Sequence, residues 1–261
     1  MDIQDRVSIV TGAASGIGAA LAVALAREGA KAVVLGDIDA EGLARTEAAV
    51  RSEGSEAISL HCDVRSETDL AALVTAAERV GPVDLFCSNA GIAIGGGPEV
   101  PDDQWQAIWE INVLAHVHAS RAVLPSMLDR GEGYLLNTAS AAGLLSQIGS
   151  APYSVTKHAA VAYAEWMSIT YGDRGIRVSV LCPQAVRTAM TAETTEGGVA
   201  GVDGMMEADE VAAIAVEGIA REEFLILPHP QVADYMVRKA TDRDRWIAGM
   251  RRLQARYDNP I

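Results

Sequence analysis

Tyr153 and Lys157 stand four residues apart in the helix-like stretch P-Y-S-V-T-K, so their side chains share one face, one turn apart. A phenol titrates near pKa ~10 and is a poor base at neutral pH. An ammonium beside it favours the phenolate and is expected to lower that value, and the same ammonium can hydrogen-bond a sugar hydroxyl. Such a pair can exchange a proton with an alcohol or a carbonyl compound. The spacing alone also suits ordinary packing beside a surface lysine. Ser140, a hydroxyl at the end of the apolar run from Gly133, is what turns the pair toward a reaction centre.

A second cluster points to a nucleotide. T-G-A-A-S-G-I-G, residues 11 to 18, follows directly on an apolar β-branched run. Gly12, Gly16 and Gly18 can supply a tight turn, close backbone approach and close helix packing, with Ser15 and Ile17 between them, so that free N–H groups at a helix start face a pyrophosphate. The spacing is not G-x-G-x-x-G and has no phosphate-binding lysine. Asp37 closes the next apolar run 19 residues after Gly18, where a carboxylate accepts hydrogen bonds from a ribose diol. Its charge opposes a ribose phosphate, and neither Gly36 nor Ile38 offsets it, which favours NAD over NADP. Asp63 and Val64 can border an adenine pocket. Asn89, Ala90 and Gly91 are small enough to let a dinucleotide cross the strand ends, although Asn89 also suits a backbone-bracing role.

These residues need a scaffold that gathers strand ends. Apolar runs at 7–11, 32–35, 57–60, 83–87, 133–138, 176–181 and 224–227 alternate with helical patterns at 16–27, 40–52, 67–80, 102–128, 152–171 and 208–219. Seven strands alternating with six helices predict an α/β fold, a doubly wound, largely parallel sheet in three α/β/α layers, with its active edge at the carboxyl ends. The whole chain, 1–261, is expected to be one domain. Residues 186–210, rich in Gly, Thr and Met, are expected to form a substrate lid apart from the sheet, and 229–261 a helical extension.

The motifs together resemble the short-chain dehydrogenase/reductase family from about Asp5 to Pro228: T-G-A-A-S-G-I-G, S-N-A-G at 88–91, N-V at 112–113, N-T-A-S at 137–140 and Y-S-V-T-K at 153–157. The resemblance implies a seven-stranded Rossmann-like sheet and a tetrad of Asn112, Ser140, Tyr153 and Lys157. In it Ser140 holds the substrate oxygen, Tyr153 exchanges its proton, Lys157 positions the ribose, and Asn112 supports a water-linked proton path. It also implies NAD contacts along the glycine turn, at Asp37 and Ile38, Asp63 and Val64, Asn89 to Gly91, and at Pro183, Val186 and Thr188. Gln184 stands where the family often has glycine and is expected, with Ile94 and Leu145, to line the substrate pocket. The implied activity is hydride transfer between NAD and a secondary alcohol or ketone, cyclic or aromatic. A 3-oxoacyl-thioester reductase and a dinucleotide-binding regulatory protein are the alternatives.

Composition narrows the partners. A formal charge of -14 opposes nucleic acid and anionic membrane, and no apolar run reaches membrane-spanning length. Cys62, Cys87 and Cys182 are odd in number and scattered in strand-like segments, which suits free thiols in a reducing compartment, and no metal site has workable spacing. A cytoplasmic homodimer or homotetramer is expected, built on the long helices that carry Trp105, Trp109, Ala160 and Ala164. The pocket set shows no basic clamp, which disfavours a highly charged substrate. Arg251 and Arg252 are expected to be surface or interface charges.

Overall fold

The computed structural model describes residues 1–192 and 195–257. The β-branched runs become β1 (Val7–Thr11), β2 (Ala32–Asp37), β3 (Glu56–His61), β4 (Val83–Ser88), β5 (Gly133–Thr138) and β6 (Ile176–Leu181). Between them lie α1 (Gly16–Arg27), α2 (Ala40–Ser52), α3 (Glu67–Glu78), α4 (Asp102–Trp109), α5 (Ala115–Arg130), the one-turn α6 (Ala142–Leu145) and α7 (Ala151–Tyr171). The chain continues through β7 (Val186–Arg187), β8 (Met206–Glu207), α8 (Ala208–Ala220), β9 (Leu225–Ile226), α9 (Gln231–Thr241) and α10 (Arg243–Tyr257).

Seven strands pair in parallel in the order β3-β2-β1-β4-β5-β6-β9. Parallel neighbours cannot be joined by tight turns, so helices cross over and cover both faces. One face buries Leu21 and Leu25 of α1, Leu43 and Val50 of α2, and Val211 and Ala215 of α8. The other buries Leu70 and Leu73 of α3, Ala119 and Val123 of α5, and Ala160 and Ala164 of α7. Those two alanines, weighed above as subunit contacts, are fully enclosed in this chain's own core because α7 lies flat against the sheet. The three cysteines are free and buried. The strand order reverses between β1 and β4, and their following loops diverge to open a crevice at the carboxyl ends.

Three features depart from expectation. The helix expected over 102–128 is divided by a π-helical turn, Glu110–Leu114. The wider turn accompanies Asn112, whose buried amide bonds the loop after β4. The segment expected as a lid is not purely loop: β7 and β8 pair as a separate two-stranded parallel sheet that ties its two ends together. Strand β9 is shorter than the expected 224–227, as suits an edge strand with a single neighbour. Residues 193 and 194 of the expected lid and 258–261 of the expected extension lie outside the described residues. No helix among the described residues is long and apolar enough to cross a membrane.

Candidate active site

The start of α7 sets the reacting residues. Ser150 caps the helix: its Oγ accepts from the Tyr153 N–H at 3.2 Å and donates to the Ile94 carbonyl. Pro152 sits in the first turn, where its missing N–H costs nothing. Tyr153 is thereby fixed at the helix mouth, with Lys157 one turn deeper. The Lys157 Nζ is buried, donates to the Thr138 carbonyl at the end of β5 at 3.1 Å, and lies 5.6 Å from the centre of the Tyr153 ring. One of its three N–H donors is so engaged, leaving two for a ligand.

Ser140 arrives from the other side. The chain after β5 tracks the chain after β6, with the Ala139 N–H donating to the Leu181 carbonyl at 2.8 Å and the Ala141 N–H to the Pro183 carbonyl at 2.9 Å. Ser140 Oγ accepts from the Ala142 N–H at 3.1 Å, while its own proton is held only loosely, 3.4 Å from the Pro183 carbonyl. That proton is free to turn toward an oxygen in the cleft.

The electrostatics differ from the expected pattern. Burial pushes the Lys157 ammonium down to about 8. Although Tyr153 as a whole is only half-buried, its phenol is pushed up, because desolvation outweighs the Ser140 hydrogen bond that favours phenolate. The expected lowering of Tyr153 by Lys157 is therefore corrected: the ammonium is turned to the Thr138 carbonyl, and burial acts against charge on both groups.

Asn112 plays a bracing part that spacing did not reveal. Its Oδ1 accepts from the Ile92 N–H and its Nδ2 donates to the Ile92 carbonyl, both at 2.9 Å, and Nδ2 also donates to Thr156 Oγ1 at 3.3 Å. A Cβ on Gly91 would stand 3.3 Å from both Asn112 Oδ1 and Lys157 Nζ, so the glycine keeps a small space open between them. Only the fold reveals this, since the three positions come from three elements.

The nucleotide half forms at the ends of β1, β2 and β4. Gly12 and Gly16 have φ of +67° and +54°, the left-handed region that favours glycine. A Cβ on Gly18 would strike the Gly12 carbonyl oxygen, and one on Gly12 would come within 2.8 Å of Ala90 Cα. Asp37 Oδ2 accepts from the Ala14 N–H at 3.0 Å and Oδ1 from the Asp39 N–H at 3.1 Å, so each oxygen keeps acceptor capacity for a diol. Asn89 lines the cleft and also braces backbone: its N–H donates to Thr11 Oγ1 at 3.1 Å and its Nδ2 to the Thr11 carbonyl at 3.2 Å. Asp63 pairs with Arg65 at 2.5 Å, which holds its carboxyl below the usual range.

A cleft of about 580 Å³ joins the two halves, with Asp37, Ile38 and Val64 at one end and Ser140, Tyr153 and Gln184 at the other. Its wall also includes Ser15, Ile17, Ile94, Pro183, Val186 and Thr188, and the Thr188 methyl lies 3.1 Å from where a Gly16 Cβ would be. A dinucleotide fits this donor set: backbone N–H groups at a glycine turn, a ribose-facing carboxylate, and an ammonium with spare protons. Ser140 and Gln184 also border a second cavity of about 800 Å³, which includes Leu145. Gln184 donates its backbone N–H to His229 Nδ1 at 3.2 Å, while its Oε1 is buried without a partner among the described residues. The pocket residues named from the sequence carry no cation, but helices α9 and α10 bring the exposed Arg238, Arg245, Arg252 and Arg256 to this second cavity. Their separation along the chain from Tyr153 left no local signal.

Comparison with known proteins bears on the family and the fold. Residues 6–198 match the family model described as short chain dehydrogenase. The chain is 37% identical over 232 residues to 1-deoxy-11-beta-hydroxypentalenate dehydrogenase of Streptomyces exfoliatus, covering 87% of this chain and 84% of that protein. It is 34% identical over 248 residues to cis-4-hydroxycyclohexanecarboxylate dehydrogenase of Sinomonas cyclohexanicum, covering 94% and 93%. A short chain dehydrogenase/reductase from Burkholderia phymatum, crystallised in complex with NAD, superposes with a TM-score of 0.85 at 32% identity, over 94% of this chain and 96% of that one.

Proposed function

The chain belongs to the short chain dehydrogenase family, and on that premise we propose that it transfers a hydride between NAD and a secondary alcohol or its ketone, on a cyclic frame. The observation that carries this reading is the convergence of Ser140, Tyr153 and Lys157 at one end of a cleft whose other end presents the Asp37 carboxylate. The hydroxyl on a cyclohexane ring in the name of the Sinomonas relative agrees with it.

NAD, when bound, supplies the nicotinamide carbon that accepts or delivers the hydride. The residues supply alignment and proton movement. Ser140 turns its loosely held proton to the substrate oxygen and holds it beside Tyr153. In reduction Tyr153 Oη gives its phenolic proton to the substrate oxygen as the hydride reaches the adjoining carbon; in oxidation its phenolate form, which burial disfavours and rising pH supplies, takes the hydroxyl proton as the hydride leaves that carbon. Lys157 uses its spare N–H donors on the ribose, and Asn112 holds the Ile92 loop that closes the cleft floor. The Asp37 carboxylate recognises the ribose diol and repels a 2′-phosphate.

The experiment is nicotinamide absorbance with purified protein, offering NAD and NADP against a panel of cyclic secondary alcohols. Turnover with NAD, lost by about 10²–10⁴-fold in Tyr153→Phe with NAD binding retained, is the expected result. Full turnover by Tyr153→Phe sinks the mechanism. Asp37→Ser is expected to raise turnover with NADP relative to NAD, and an unchanged ratio would remove Asp37 from cofactor choice.

A further inference from the structure

Arg238 of α9 and Arg245, Arg252 and Arg256 of α10 border the 800 Å³ cavity that opens from Ser140 and Gln184. Among the described residues the only acid on that wall is Asp242, and its Oδ1 accepts from the Arg245 N–H at 2.9 Å at the start of α10. The surroundings make this conspicuous: the chain carries a formal charge of -14, yet residues 229–261 hold seven of its 21 Lys and Arg against four of its 35 Asp and Glu.

The placement is built into the helix. Positions 245, 249, 252 and 256 recur at spacings of four, three and four, which puts them on one face of α10. The second of them is Gly249, a residue that weakens a helix interior by about 1 kcal/mol relative to alanine. The Arg252 Nη2 lies beside it, 3.8 Å from where a Cβ would stand. Trp246, Met250 and Leu253 add apolar wall to the same cavity. The Arg238 guanidinium lies 5.5 Å over the Tyr235 ring, and the Tyr235 hydroxyl donates to Asp203 of the lid at 2.9 Å, so α9 is tied to the lid at this wall. None of the four guanidinium groups is in a salt bridge among the described residues.

We propose that the substrate carries a carboxylate, which the wall formed by Arg238, Arg245, Arg252 and Arg256 attracts while its alcohol carbon lies at Ser140, where this cavity meets the cleft that holds Tyr153. The proposal deepens the alcohol-oxidoreductase reading and rests on it. All four arginines are exposed, so one pair alone contributes little; recognition comes from the summed field of several cations along one wall, and it weakens with salt. The apolar stripe receives the carbon frame, and a planar guanidinium matches a carboxylate better than an ammonium would.

The test is calorimetric binding at saturating NAD, comparing cyclohexanecarboxylate with its uncharged methyl ester. The wild-type protein is expected to bind the acid about tenfold more tightly. That preference should disappear in an Arg245→Gln, Arg252→Gln, Arg256→Gln variant whose circular dichroism is unchanged, and should shrink with added salt. Acid binding no tighter than ester binding, or a preference that survives in the triple variant, overturns the proposal. Tighter binding of 3′,5′-ADP than of the acid overturns it in favour of a phosphate-bearing thioester. A preference lost only together with a change in sedimentation overturns it in favour of a subunit contact. These readouts need no turnover, so a preference for the acid without hydride transfer to any alcohol would leave the anion site standing while the oxidoreductase reading fell.

Discussion

Lys157 is a cation almost wholly enclosed by protein, and its cost to the fold follows from its titration. Burial lowers its pKa to about 8 in the folded chain, against ~10.4 for an unfolded lysine. Below pH 8 both states carry the proton and the folded state bears the full desolvation penalty. As pH rises from 8 toward 10.4, the folded state releases its proton first, so the penalty is relieved and stability increases. Lys157→Met is therefore expected to be more stable than the wild type near pH 7, by on the order of 1–3 kcal/mol, while losing turnover. Urea denaturation across pH checks this, and the gap should close as pH approaches 10. A variant less stable at pH 7 would show that the bond to the Thr138 carbonyl outweighs the desolvation. Of this chemistry the Tyr153–Lys157 pairing was legible from a four-residue spacing. The direction of the Tyr153 shift was not, because it depends on what encloses the phenol.

Helix α7 shows how an element transmits order to the site. Ser150 bonds both the Tyr153 N–H and the Ile94 carbonyl, so a single hydroxyl joins the helix that carries the proton-transfer residue to the loop that borders the pocket. Ser150→Ala is expected to cost about 1 kcal/mol of stability, typical for a lost N-cap, and to lower kcat more than NAD affinity, since the glycine turn is untouched. Thermal unfolding and steady-state kinetics measure the two effects, and an unchanged kcat would limit Ser150 to a purely structural cap. At this scale the strand and helix periods predicted most elements within a few residues. They missed the π turn because Asn112 is an unremarkable helix residue until its amide meets Ile92, a bond between segments 20 residues apart.

For the whole molecule, the expected association of copies is best examined on α7. Val155, Trp166 and Ile169 are 48%, 54% and 77% exposed, and their spacings of 11 and 3 keep them on one side of the helix. With Trp109 of α4 partly exposed as well, this outer face suits a homodimer or homotetramer contact better than the enclosed Ala160 and Ala164 do. Ile169→Glu is expected to yield a smaller species in analytical ultracentrifugation, whereas unchanged sedimentation would take this face out of the contact. The sequence by itself determined the layered sheet, the glycine turn, the Asp37 carboxylate and the Ser140–Tyr153–Lys157 set. Each is written in a local period, or in a residue type tied to a strand or helix end. Only the tertiary structure decided that Asn89 and Asn112 brace backbone, that burial raises Tyr153, and that arginines about 100 residues from Ser140 share its cavity. Those outcomes depend on which distant segments are packed together and how much water they exclude, quantities that no local spacing encodes.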